Sequence, residues 1–418
     1  MKTLLFLLML LLIPLQAPAA GSAFIRGRVI DSVTGSPIPD AFVTAGAEAV
    51  RTDRTGAFML AASSPQIRVR AYGYRRAEQT VTTPLMALPR LVRLTPVTPK
   101  AVYLSFYGIG SRVLRENALK LLRETELNAV VIDIKGDRGM IPYPSSISLA
   151  HEAGAQKIIT VRDMKALIGS LKQEGIYTIA RIVVFKDNLL ALLKPDWAVK
   201  SPGGGIWKDR EGLAWVDPFR KEVHEYNAGI AVEAAGLGFD EIQFDYVRFP
   251  DAQNLLFSMP NNEENRVKAI SGFLSETRKK LEPANVFVSA DIFGYVFWNS
   301  NDTNIGQRLE DIALAVDYLA PMLYPSGFQF GIPGFRNPVA HPHEIVFLTL
   351  QRARQRTGLD AIRFRPWLQA FRDYAFDKRH FSEAEIKAQI SAAEQFGSGG
   401  WMLWNPNNVY IPDGLKKE

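Results

Sequence analysis

The sequence predicts an α/β protein, a (β/α)8 TIM barrel with a small N-terminal all-β sandwich domain. Three observations carry that expectation. From Ala101 onward, eight short apolar stretches alternate with amphipathic segments over roughly 310 residues, the length and rhythm of a (β/α)8 barrel. Before it, residues 20–95 break into β-branched runs separated by Gly, Pro and Asp, the spacing of sandwich strands. No Gly-rich dinucleotide fingerprint follows the first barrel strand, which disfavours a doubly wound open sheet.

The first 19 residues read as an export signal. "MKTLLFLLMLLLIPLQAPAA" joins Lys2 to an apolar run and ends in small residues, with Ala17 and Ala19 placed for cleavage. The run is short for a membrane span, so no stable membrane insertion is expected after cleavage, and the protein is expected in the periplasm or outside the cell. Cysteine is absent from the 418 residues, which rules out disulfides and a lipidated cysteine. At 47% hydrophobic and 22% charged, the chain can bury one large core and one small one. The net charge of +6 is spread thinly, without the dense Lys/Arg block of a nucleic-acid binder. Such a balance suits an acidic polysaccharide or an anionic surface, and solubility explains it equally well.

Within residues 20–95, Thr34-Gly35 and Thr55-Gly56 mark turns and "QIRVRAYGY" alternates as a strand. Gly27, Val29, Asp31, Thr34, Gly35, Pro37, Ile38, Ala41 and Val43, followed by Thr52, Asp53, Gly56 and Phe58, resemble the carboxypeptidase regulatory-like (transthyretin-like) sandwich. That resemblance implies the fold of the segment and leaves its role open among spacer, docking and binding modules. Residues 96–100 form a linker with Pro96 and Pro99, and the barrel takes residues 101–418.

The barrel strands are expected in "AVYLSFYG", "AVVIDIKG", "YTIARIVVF", "EIQFDYVRF", "VFVSADIFG", "DYLAPMLYP", "RPWLQAF" and "GWMLWNP". Between them, Val113, Leu114, Ala118, Leu121 and Leu122 make one helical face, and Met164, Leu167, Ile168 and Leu171 another. Asp217-Pro218 has the form of a helix start. In the fourth strand, Glu241, Gln243 and Asp245 share one parity and point into the barrel, with Asp245 at the mouth.

Active sites of such barrels sit at the carboxyl ends of the strands. Those ends carry Asp133 and Lys135, Arg181, Asp245 with Tyr246 and Arg248, Asp291, Tyr324, Gln369, and Trp404 with Asn405. Two carboxylates on adjacent strands, rimmed by aromatic rings, suit glycoside hydrolysis, in which one acts as nucleophile or base and the other as acid. Asp245 is the expected nucleophile and Asp291 the expected acid/base; the remaining residues, with Gln243, are expected to bind substrate. An ion pair between Asp245 and Lys135 or Arg181 at the barrel mouth is the structural alternative. Glu241, nearer the strand's start, is expected to pair with an Arg or Lys deep in the barrel.

"NAVVIDIKGDRG", "YTIARIVVFKD", "WVDPFRKEVHEYN", "GFDEIQFDYVRFP", "VSADIFG" and "YLAPMLYPSG" resemble a glycoside hydrolase domain family of exported bacterial proteins, formerly of unknown function. The resemblance implies a barrel akin to the α-amylase-like clan, whose fourth strand supplies an Asp nucleophile two residues after an Arg and whose fifth supplies a Glu acid/base. Asp245 holds the nucleophile's place, whereas Gln243 replaces the Arg and Asp291 the Glu. The expected substrate is a polysaccharide or oligosaccharide, with no cofactor and no metal. "HPHE" (His341 to Glu344) offers two histidines on one short stretch, too few ligands for a metal site by themselves. A polysaccharide-binding or exopolysaccharide accessory protein without catalysis is one rival reading, and a deacetylase another.

Overall fold

The computed structural model describes residues 24–61, 64–81 and 89–417; the expected export signal lies outside them. Among the described residues, seven strands build the N-terminal domain: β1 (Phe24–Asp31), β2 (Phe42–Ala45), β3 (Glu48–Arg51), β4 (Ala57–Ala61), β5 (Gln66–Arg70), β6 (Ala77–Thr80) and β7 (Arg90–Leu94). They form two sheets, ordered β4-β1-β7 and β3-β2-β5-β6. Strand β1 alternates exposed and buried residues, so Ile25 and Val29 meet Val43, Ile67, Val69 and Val92 in a small core of their own.

The barrel strands are β8 (Lys100–Leu104), β9 (Ala129–Lys135), β10 (Tyr177–Val183), β11 (Glu241–Asp245), β12 (Phe287–Phe293), β13 (Tyr318–Met322), β14 (Trp367–Gln369) and β15 (Trp401–Trp404). All eight pair in parallel and close in chain order, β15 returning to β8. Seven fall inside the stretches expected from sequence, and β8 starts one residue ahead of its own, at Lys100. Closure depends on Gly400, at φ +104°: a Cβ there would lie 2.0 Å from the Pro99 carbonyl oxygen. The connections carry α1 (Phe106–Gly110), α2 (Arg112–Glu124), α3 (Ser148–Glu152), α4 (Met164–Gln173), α5 (Asn188–Leu193), α6 (Lys221–Gly236), α7 (Glu263–Leu281), α8 (Leu309–Ala315), α9 (Pro342–Thr357) and α10 (Glu383–Phe396).

Strand parity sorts the core. Ile242 and Phe244 face the helices, while Ala101, Tyr103, Val131, Ile179, Trp367 and Met402 fill the barrel interior. Two local expectations are corrected. Val113 is 68% exposed, because α2 turns Ala118, Leu119, Leu121 and Leu122 inward instead. Helix α6 begins at Lys221, and Asp217 precedes it in a loop, where its carboxylate accepts the N–H groups of Phe219 and Ser258.

The sandwich packs against the N-terminal ends of the barrel strands, opposite the mouth. Arg70 reaches Asp317 at 3.3 Å, Gly73 N donates to the Tyr318 hydroxyl at 3.2 Å, and Asn285 Nδ2 donates to the Arg68 carbonyl at 2.6 Å. Tyr72 and Val97 pack onto the interior residues of the barrel. Residues 96–100 are held as well, with Val97 N donating to the Gly73 carbonyl at 2.8 Å and Lys100 already in β8.

Candidate active site

Arg181, projecting inward from β10, is the hub of the barrel mouth. Its Nη1 donates to Asp133 on β9 at 2.6 Å; Nε donates to Asp245 on β11 at 3.0 Å, and Nη2 donates to the same Asp245 oxygen. This is charge-assisted pairing among buried groups, where such bonds are strongest. Burial disfavours the guanidinium charge, but Asp245 and Asp133 outweigh it and hold Arg181 well above its ordinary pKa. The guanidinium also lies over the Trp404 ring at 4.9 Å and the Tyr103 ring at 5.3 Å. Tyr103 donates to Asp133 at 2.6 Å.

At Tyr246 the chain leaves β11 with φ +47°, a left-handed conformation that costs a side-chain-bearing residue about 1–2 kcal/mol. The turn aims the Tyr246 N–H back at Asp245 Oδ1, 2.5 Å away. Asp245 thus accepts from two directions, Arg181 on one oxygen and the backbone on the other.

Asp291 on β12 is 1% exposed. Its Oδ1 accepts from Trp367 Nε1 at 2.7 Å, while Oδ2 has no donor among the described residues and stands 3.9 Å from Arg181 Nε. Burial, and then the charge of Asp245, push its carboxyl well above the usual carboxylate range, with Arg181 opposing. Burial and the neighbouring carboxylate thus favour the protonated form of Asp291. The Tyr324 hydroxyl is pushed up by burial and by the same two carboxyls.

An open cleft crosses the mouth in two lobes that share Arg181, Tyr246 and Trp404. One, of about 250 Å³, is lined by Asp245 and Arg248 with Phe293, Tyr295, Tyr324, Phe328 and Tyr374. The other, of about 220 Å³, is lined by Asp133, Asp137, Arg138, Tyr103 and Tyr107. Asp245, Asp133, Arg181, Tyr246, Arg248, Tyr324 and Trp404 thus converge on the cleft, and Asp291 lies beneath its floor.

Four of the expected substrate-binding residues lie elsewhere. Lys135 faces the helices: Ile134 is an extra residue in β9 opposite β10, and the bulge turns Lys135 outward to Asp187 at 2.7 Å. Gln243 is buried at mid-barrel, with Nε2 3.5 Å from Met402 Sδ and Oε1 without a partner among the described residues. Gln369 is a buried clamp, donating to Ser326 Oγ at 2.7 Å and accepting the Ser326 N–H. Asn405 lines a separate hollow beside the mouth and donates to the Ala370 carbonyl at 2.7 Å. Glu241 sits at the bottom as expected, paired with Arg365 and accepting from Tyr177 at 3.0 Å and Ser289 at 2.6 Å.

Trp367 as the partner of Asp291 and Tyr103 as the partner of Asp133 are not among the residues expected at the site. Both were inward by strand parity, and that was the usable signal. The loop aromatics Tyr295, Phe328 and Tyr374 carried none, because loops have no period. Among the described residues no group of three or more His, Cys, Asp and Glu is disposed to hold a metal ion, and no helix is long and apolar enough to cross a membrane.

The chain thus closes as a (β/α)8 barrel with carboxylates and an aromatic cleft at the carboxyl ends of its strands. The chain belongs to the family described as "Putative glycosyl hydrolase domain", which matches residues 101–410, and it is a glycosidase by class. Among solved structures it is similar to a hypothetical protein from Ruminiclostridium thermocellum ATCC 27405, at 38% identity over 46% of this chain and 96% of that one, with a TM-score of 0.41. It is similar in fold to the PgaB (BpsB) glycoside hydrolase domain from Bordetella bronchiseptica, at 16% identity over 77% of this chain and 99% of that one, with a TM-score of 0.55. Alpha-L-fucosidase isoenzyme 2 from Paenibacillus thiaminolyticus is similar at 15% identity, over 76% of this chain and 47% of that one, with a TM-score of 0.51. No curated protein matches the sequence.

Proposed function

We propose that this exported protein hydrolyses a glycosidic linkage of a polysaccharide or oligosaccharide, with Asp245 as the nucleophile or base and Asp291 as its proton-bearing partner. The observation that carries the reading is Asp245 itself: it opens into an aromatic-walled cleft while Arg181 and the Tyr246 N–H hold its two oxygens. The N-terminal apolar segment supports export.

A general acid acts only while protonated, so activity falls as pH rises through the raised pKa of Asp291. Asp291→Asn keeps the size of the side chain and removes the transferable proton. The variant is expected to lose about 10²–10⁴-fold on natural linkages and far less on aryl glycosides, whose leaving groups need no proton. Its stability moves the other way. Because the folded pKa of Asp291 exceeds the unfolded 3.8, wild-type stability declines as pH climbs from 3.8 through the folded value. Asp291→Asn lacks that decline, so its melting temperature exceeds the wild type's at neutral pH, and the gap closes below about pH 4. Reducing-end assays over a panel of bacterial exopolysaccharides test the activity. No release by the wild type on any of them would favour the binding protein over the enzyme.

A further inference from the structure

Within the cleft, the charges do not all have partners. Asp245 and Asp133 share Arg181, and Asp137 lies 3.6 Å from Lys186. Arg248 in one lobe and Arg138 in the other have no carboxylate within ion-pair distance among the described residues. The cleft cations that no carboxylate engages among the described residues are therefore two, one guanidinium in each lobe, with Asp245 lining the same lobe as Arg248.

Arg248 is also held in place. Its guanidinium carbon lies 5.1 Å from the Trp215 ring centre and 5.3 Å from that of Tyr246, and Nη1 donates to the Phe249 carbonyl at 3.0 Å. The rings fix the plane of the fork, while Nε and Nη2 have no protein partner among the described residues. A planar fork with free donors suits bidentate recognition of a carboxylate, and its side-chain entropy is lost before the ligand arrives. Packing between rings would not require the charge to open into the cleft.

We infer that the glycan bound here is acidic, that Arg248 takes a sugar carboxylate beside Asp245, and that Arg138 meets a second anionic group across the mouth. This rests on the proposed reading of the cleft as the glycan site and adds the substrate class. The test uses the full chain carrying Asp245→Asn, so that binding is read without cleavage. Oligomers of galacturonate, mannuronate and glucuronate, the same oligomers as methyl esters, and a sulfated glucan are titrated calorimetrically.

At least one uronate series is expected to bind tenfold or more tightly than its ester, with affinity falling as salt rises. Arg248→Gln is expected to abolish that preference, Arg248→Lys to restore part of it, and Arg138→Gln to weaken the acid form a few-fold. Sulfated glucan bound in preference to every uronate would overturn the carboxylate assignment. Equal affinity for acid and ester, or an acid preference that survives Arg248→Gln, overturns the inference outright. Failure of the hydrolase reading shows separately, as wild-type protein that binds the acidic oligomers and releases no reducing ends.

Discussion

Asp245→Asn lowers turnover by on the order of 10⁴-fold or more, the scale on which loss of a nucleophile is felt, while the protein remains folded. The amide cannot attack an anomeric carbon or take a proton, yet it keeps an oxygen for the Tyr246 N–H. Arg181 is not stranded by the change, because Asp133 remains on its Nη1 at 2.6 Å. The reducing-end assay reads the activity, and circular dichroism with the melting temperature reads the fold. Wild-type turnover in the variant would remove Asp245 from the mechanism.

Glu241→Gln is expected to do the reverse and cost the fold about 3–5 kcal/mol, the penalty for leaving one member of a buried ion pair alone. Arg365 lies 4.1 Å from the Tyr318 ring and 5.7 Å from that of Tyr177, and it is 2% exposed. Without the Glu241 charge, the guanidinium keeps among the described residues the Gly399 carbonyl, 2.9 Å from Nε, the flanking rings and a neutral amide oxygen, with no counter-charge. Exchanging both partners, Glu241→Leu with Arg365→Met, removes the stranded charge and is expected to cost much less than the single change. Urea midpoints of the two variants check this. A single variant as stable as the wild type would show that the pair contributes nothing.

These two residues stand four positions apart on one strand, and their different fates were legible in the sequence. The two-residue period of "GFDEIQFDYVRFP" put Glu241, Gln243 and Asp245 on the inner face and graded them by depth. All eight barrel strands were legible for the same reason, since buried parallel strands are apolar runs bounded by turn residues. Lys135 was misplaced because a bulge leaves no mark in the pattern: "DIKG" reads as unbroken alternation, and the extra residue exists only relative to β10. Gln369 and Asn405 lie at the right strand ends, but hydrogen bonds to Ser326 and Ala370 use them within the scaffold. Asp291 shows the limit from another side. Its position was legible, whereas its depth beneath the cleft depends on the Trp367 ring two strands away in the barrel.

The junction beneath the barrel has a mechanical consequence. Asp317 accepts from the sandwich through Arg70, from α7 through Arg278 at 2.7 Å, and from β12 through the Val288 N–H at 2.9 Å. One buried carboxylate thus fastens three separate parts of the chain: without the sandwich, Asp317 would keep Arg278 and lose Arg70. The two hydrophobic cores are distinct, but they are expected to melt as one cooperative unit, giving a single calorimetric transition that Asp317→Ala splits in two. The small domain is then a foundation for the barrel, and a barrel cut free at residue 99 loses rigidity at the end farthest from its chemistry.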